Sequence, residues 1–387
     1  MAFGLFKKKE KYIAVFDINS ASIGAAIIKH VPGEKPEIIA IDRVNINFLM
    51  DVDFKAFSRC TIDSFRRTLK NIIKKFPKKI DSIMCVFSSP WYISQTRIIK
   101  IKKDKDVIVN KIFIDKTLEN EKIIFKDKWD RKEEADFVEQ EIMTVNLNGY
   151  HIKNFINKKA KDVEIFSYMS LAYKDIKENI KKEIFQNFHI DEVSFHTFPC
   201  VMFNILKNMI NIEEGLLMLD ISGEFTDLSL IRNNILEETV SFPRGKNFLL
   251  REIAISFKTF MKEAFSIFEK YISGHANENV KKKISIITEN ARNEWSRFFT
   301  NSLEKISESE LLPRNLFILG EGFVTKEFIK CTGDNSCSSF ITLGKPFKIN
   351  YLSVDSLRHM FNLTKDTMHT KDKFILIESI FADKFIS

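Results

Sequence analysis

The chain has 387 residues, enough for two domains or one large bilobed unit, and its 44% hydrophobic and 29% charged residues are ordinary for a soluble globular protein. It holds no apolar run of about 18 residues, so no transmembrane helix is expected, and the first nine residues lack the apolar core of a signal peptide, which points to the cytoplasm. The net charge of +8 invites nucleic acid, but the lysines are spread along a chain that also carries 37 Phe, a compositional bias, so nucleic-acid binding is not expected.

Five scattered cysteines, Cys60, Cys85, Cys200, Cys331 and Cys337, read as reduced thiols, because their spacing suits neither zinc nor a disulfide framework. Residues 11–16 form an apolar run that ends at Asp17. A small-residue turn through Asn19, Ser20 and Ser22 leads to a returning strand, and residues 37–48 read as a third. From 54 to 76 apolar residues recur at helical spacing, which predicts an amphipathic helix ended near Pro77. Residues 83–87 are a buried strand. The pattern then changes: 98–102 alternates, 115–125 and 132–137 are helical in composition, and 138–147 and 160–169 are strands around the hairpin signal Asn148-Gly149-Tyr150. A helix over 171–188, a short strand at 192–196 and a helix over 199–210 follow.

Residues 216–219 are a continuous apolar run, suited to a strand buried on both faces, and it ends at Asp220. Ser222, Gly223 and Glu224 make a polar turn before Thr226 and Asp227, and the apolar pattern resumes over 228–231. Asn233 and Asn234 then turn the chain where left-handed conformations are tolerated. A long helical region runs from 248 to 306. A strand at 315–320 enters Gly320-Glu321-Gly322, a helix starts at Thr325, and the tail ends in a helix near 374–385. The order predicts an α/β fold with mixed sheets. The two Asp-Ile turns share one plan about 200 residues apart. Hairpins of that kind can grip a phosphate chain, with two aspartates for a hydrated Mg2+.

Asp17-Ile18-Asn19-Ser20-Ala21-Ser22-Ile23-Gly24, Asp220-Ile221-Ser222-Gly223-Glu224-Phe225-Thr226-Asp227 and the late glycine turn together resemble the actin-like ATPase superfamily. Within it, the chain resembles the bacterial FtsA and PilM group over nearly its whole length. Residues 137–164 look like that group's inserted SHS2-type subdomain, and Pro243-Arg244-Gly245-Lys246-Asn247 looks like its Gly-Gly-Asn turn and following helix. The resemblance implies an actin-like (ribonuclease H-like) two-lobed α/β fold with that α+β insertion. The expected divisions are 11–88 (first lobe), 89–170 (insertion), 171–212 (first lobe again), 213–250 (second lobe), 251–312 (helical) and 313–387 (second lobe and tail). It implies ATP and Mg2+ as cofactors, with Asp17 and Asp220 holding the metal through water. Asn19, Ser20, Ser22, Ser222, Gly223 and Thr226 would line the phosphates, and Gly245, Gly320 and Gly322 the nucleoside. The chain departs from the group where Asn19 and Ser222 replace Gly, Phe225 replaces Thr and Arg244 replaces the first Gly. Glu224 brings a carboxylate to a phosphate site, which requires that it point away or meet a cation.

Proteins of this group work on the inner face of the membrane. PilM-like members bind the cytoplasmic tail of a membrane partner in type IV pilus assembly, and FtsA-like members tether the division filament. Residues 371–387 are apolar at helical spacing and follow without an obvious linker. Packing as a terminal helix is therefore expected, which favours the PilM-like reading over FtsA. Self-association, a nucleotide-free scaffold and a superfamily kinase remain alternatives, with weak ATP hydrolysis at most. Phe3, Leu5 and Phe6 before three lysines could touch an anionic membrane, but a frayed terminus is the expectation.

Overall fold

The computed structural model describes residues 10–308, 310–320, 322–333 and 335–385. The apolar-basic segment before residue 10, and Glu321 of the late glycine turn, lie outside the described residues. In chain order, β1 (Lys11–Ile18), β2 (Ser22–His30) and β3 (Glu37–Asn45) precede α1 (Phe54–Lys75) and β4 (Ser82–Phe87). Next come β5 (Tyr92–Val109), α2 (Lys111–Asp127), β6 (Ala135–Leu147), β7 (Tyr150–His151) and β8 (Lys158–Tyr173). Then α3 (Lys174–Phe188), β9 (Val193–Thr197) and α4 (Phe198–Met209) lead to β10 (Leu216–Ile221), β11 (Thr226–Arg232) and β12 (Ile235–Phe242). Three helices follow, α5 (Lys246–Phe257), α6 (Met261–Ile272) and α7 (Glu278–Ile306). The chain closes with β13 (Asn315–Ile318), α8 (Phe323–Ile329), β14 (Lys348–Tyr351), α9 (Val354–Leu357), β15 (Asn362–Leu363) and α10 (Lys373–Phe385).

The chain divides into two compact units. The first holds residues 1–91, 173–209 and 352–387, and the second 92–172 and 210–351. In the first unit one sheet runs β15-β3-β2-β1-β4-β9. β1 to β3 form an antiparallel meander, while β4 and β9 join in parallel. Asp53 caps α1 by accepting the Ala56 N–H, and α1 turns Phe57, Ile62, Phe65, Leu69 and Ile72 inward, where Phe65 meets Phe16 of β1. In the second unit, one sheet runs β12-β11-β10-β13-β14 and a smaller one β5-β8-β6-β7. Its core centres on Trp295 of α7, whose ring is stacked between Phe299 and Phe328 and meets Phe242 edge-on.

Three sequence expectations change. Residues 132–137 are not a helix: after one short 3-10 turn, β6 begins at Ala135, because Ala135, Glu139 and Met143 are buried along a strand. The helix expected from 171 starts at Lys174, since β8 continues to Tyr173 in register with β5. The tail, placed by sequence in the second lobe with 313–387, belongs from Leu352 onward to the first unit. The reason is pairing and burial: β15 joins β3 in parallel, and α10 lies against β1, β2 and α4. The Asn233-Asn234 turn does adopt the left-handed conformation, at φ 52° and 59°.

α10 buries Ile375, Leu376, Ile377, Ile380 and Phe381 in the first unit, as a packed terminal helix does. Ile377→Ala is expected to lower unfolding stability by about 2–5 kcal/mol, and Lys384→Ala by less than about 0.5 kcal/mol. Urea denaturation of both variants measures this, and equal small effects would disprove the packed helix.

Candidate functional site

The two Asp-Ile turns are built alike and furnished differently. In the first, β1 ends at Ile18 and Asn19 closes the turn by accepting the Ala21 N–H on Oδ1 at 3.0 Å, while its own N–H reaches Ser22 O at 3.3 Å. Asp17, Asn19, Ser20 and Ser22 are all buried there. Arg43 of β3 completes the cluster. Its Nη2 donates to Asp17 Oδ2 at 2.7 Å and its Nη1 to Ser22 Oγ at 2.8 Å. Its Nε donates to Asp372 Oδ2 at 2.5 Å, and Nη2 also reaches Asp372 Oδ1 at 3.0 Å. Burial works against the Arg43 charge, but Asp17 and then Asp372 outweigh it and hold the guanidinium pKa above its ordinary value.

At Asp17, where the metal was expected, the Arg43 guanidinium thus sits on one carboxylate oxygen, Oδ2. The second turn keeps suitable chemistry. Asp220 and Asp227 are directly opposed across the β10–β11 hairpin and therefore share a face. Ser222 Oγ donates to Asp220 Oδ2 at 3.2 Å, and Tyr92 Oη to Asp227 Oδ2 at 3.4 Å. Paired carboxylates are acceptors that suit the water shell of a hydrated Mg2+. Among the described residues no group of three or more His, Cys, Asp or Glu is placed to hold a metal directly, and an ion held through water does not need one.

Glu224 meets its cation: Arg251 Nη2 donates to both carboxylate oxygens, at 2.9 and 2.8 Å, and Asn247 Nδ2 to Oε1 at 2.9 Å. The carboxylate thus faces α5. The start of α5 is stitched to the turn, with the Gly245 N–H on Glu224 O, Lys246 on Ser222 O and Asn247 on Gly223 O. These are helix N-terminal donors that an anion could otherwise take. Gly245 is required by that approach, because a Cβ there would lie 2.3 Å from Gly223 O. Gly320 packs beside the same turn, where a Cβ would lie 2.8 Å from Thr325 Cγ2 and 3.1 Å from Ile221 O. Gly322, at φ 97°, precedes α8.

Thr226 is placed otherwise than the phosphate-lining expectation. Its hydroxyl is fully buried, donates to Arg244 O at 2.7 Å and accepts from Trp295 Nε1 at 3.3 Å, so it fastens β11 to the core. The structure therefore gathers Asp17, Asn19, Ser20 and Ser22 in one unit, and Asp220, Ser222, Gly223, Gly245 and Gly320 in the other. Sequence reasoning missed Arg43, Asp372, Asn247 and Arg251. Only Glu224 signalled a partner, by demanding a cation.

A separate cavity of about 410 Å3 lies within the second unit, lined by Thr96, Phe125, Trp129, Glu237, Glu238 and Lys305 among others. Burial pushes both glutamate pKa values up, against the pull of Arg232 on Glu237 and Lys305 on Glu238.

No protein-family model matches the chain, and no curated protein matches it. Among solved structures it is similar to a chain of the PilM-PilN type IV pilus biogenesis complex, with TM-score 0.65 and 12% identity, over 97% of this chain and 98% of that one. It is also similar to a Bacteroides thetaiotaomicron protein with actin-like ATPase fold and unknown function (TM-score 0.42, 11% identity, 99% of each chain). A third likeness is to the ethanolamine utilization protein EutJ from Carboxydothermus hydrogenoformans (TM-score 0.44, 12% identity, 96% and 90%). The chain has the actin-like ATPase fold.

Two outcomes are expected. Arg251→Ala leaves the Glu224 carboxylate buried without its guanidinium and should cost about 3 kcal/mol in denaturant unfolding, with most of the loss recovered in Arg251→Met/Glu224→Gln. Glu237→Gln/Glu238→Gln should raise the melting temperature at pH 7. Because the folded pKa values lie above the unfolded ones, the wild type gains stability as pH falls through them, and the variant's advantage should fade over that window. Melting curves from pH 4 to 8 measure it.

Proposed function

We propose that this chain is an actin-like, ATP-binding scaffold at the inner face of the membrane, which docks a membrane-linked partner in the manner of PilM in type IV pilus assembly. The observation that carries this reading is the likeness over 97% of the chain to a chain of the PilM-PilN complex. The inserted α+β subdomain, residues 92–172, is part of that match, which suits an assembly protein better than a small-molecule kinase. α10 fills the first unit's core, so this helix is not itself free to anchor in lipid. Among the described residues no helix is long and apolar enough to cross a membrane, so attachment would be peripheral, through the partner. In this reading Asp220 and Asp227 receive the nucleotide's Mg2+ through water.

Calorimetry tests both halves of the proposal. ATP with Mg2+ should bind in the micromolar range, and Asp220→Ala should abolish the heat. The cytoplasmic segment of the same organism's PilN-type protein should bind the full chain, while the division filament protein should not. No binding at millimolar ATP would leave a nucleotide-free docking scaffold, and binding of the filament protein alone would replace the pilus reading with the division one.

A further inference from the structure

The first acidic turn carries its own cation, and the sheet is built to deliver it. Asp17 of β1 pairs with Gly24 of β2, and Gly24 pairs with Arg43 of β3. Directly opposed residues of antiparallel strands share a face. Arg43 therefore reaches Asp17 by crossing over the middle strand, and its path needs a residue without a side chain. A Cβ on Gly24 would lie 2.5 Å from Arg43 Nη2 and 2.8 Å from Cζ. The equivalent row in the second unit reads Asp220, Asp227, Ser241, with a carboxylate in place of the glycine and a hydroxyl in place of the arginine. One plan thus ends in a guanidinium in the first unit and in paired carboxylates in the second.

The far side of the guanidinium holds Asp372, whose Oδ1 also accepts the Ile375 N–H at the start of α10. Asp17 is 1% exposed and the side chain of Asp372 15%. A divalent ion on Asp17 Oδ2 would have to displace Arg43 from that oxygen and so disturb its hold on Asp372. Guanidinium offers planar, directional donors matched to carboxylates, and it cannot be removed by deprotonation. We infer that Arg43 is the permanent cation of the first turn, which makes that turn independent of divalent metal and links it to the C-terminal helix.

The actin-like resemblance leads to the opposite expectation, a metal at both aspartates, so the two ideas separate cleanly. Nucleotide is not required: ATP calorimetry can fail and the metal titration below keeps its meaning. The experiment uses the full chain in an Asp220→Asn background, which silences the second turn. Mn2+ binding is followed by electron paramagnetic resonance and melting temperature with and without Mg2+. With Arg43 present, no Mn2+ site and no Mg2+-dependent shift in melting are expected. Arg43→Ala should melt lower, acquire a Mn2+ site and recover part of its melting loss in Mg2+. Adding Asp17→Asn should abolish both gains. If Arg43→Ala does not fold, Arg43→Gln, which keeps length without charge, carries the same expectation. A Mn2+ site present with Arg43 in place and lost on Asp17→Asn would overturn the inference, as would a folded Arg43 variant that acquires no site.

Discussion

The guanidinium of Arg43 is the constraint on which much of the first unit depends. It joins residues 17, 43 and 372, the last separated from Arg43 by 329 positions, and so fixes where the end of the chain must lie. α10 is held by its apolar face, but burial is non-directional and sets no register. Asp372 supplies direction, because it accepts the Ile375 N–H at the helix start while bonded to Arg43. A buried ion pair of this kind adds little net stability, since desolvation offsets much of the attraction. Its removal is costly and its geometry is exacting, so it specifies arrangement more than it strengthens the fold. Gly24 belongs to the same constraint, as the open space through which the side chain passes.

The second unit solves a related problem with other residues. Glu224 would repel any anion at its turn if it faced outward. Arg251 and Asn247 turn it toward α5 instead. Three consecutive N–H groups at the start of that helix are used on the carbonyls of residues 222–224, so the turn and the helix form one hydrogen-bonded piece. The chain has thereby exchanged a general anion-binding feature for internal rigidity. On the β10–β11 face the opposed carboxylates of Asp220 and Asp227 suit a cation rather than an anion.

The parts of this structure that were legible in sequence are those set by local pattern. The Asp-Ile hairpins, α1 ending before Pro77, the Asn233-Asn234 turn and the terminal helix all announce themselves through periodicity, turn residues or caps. The order of those signals pointed to an α/β fold with mixed sheets, and the resemblance of the two Asp-Ile turns and the late glycine turn implied the actin-like form. Arg43 was hidden because its role arises from lateral register across three strands, which no spacing along the chain displays. Thr226 looked like a phosphate ligand because of its place in the turn, but Trp295, 69 residues later, occupies its hydroxyl. The start of β6 was obscured by charge: Glu133, Glu134 and Asp136 suit a helix by composition, yet Ala135, Glu139 and Met143 bury on a strand. The tail was misplaced because a two-residue strand, β15, has no sequence signature, although it pairs with β3.

The unequal furnishing of the two turns bears on how a nucleotide would be held under the proposed reading. At the first turn two carboxylates face one guanidinium, and at the second the Asp220–Asp227 row brings two more carboxylates together. Neither arrangement attracts a bare polyphosphate, whose own charge is negative. A nucleotide that arrives with Mg2+ changes that balance at the second turn, where carboxylates can receive the ion through its water shell. At the first turn an incoming metal would meet Arg43 on Asp17 Oδ2, and a phosphate oxygen would face an arginine already paired with Asp17 and Asp372. The two rows differ at two positions, Gly24 against Asp227 and Arg43 against Ser241. Under the proposed reading the metal that accompanies ATP would rest on Asp220 and Asp227, while Arg43 links the first turn to α10.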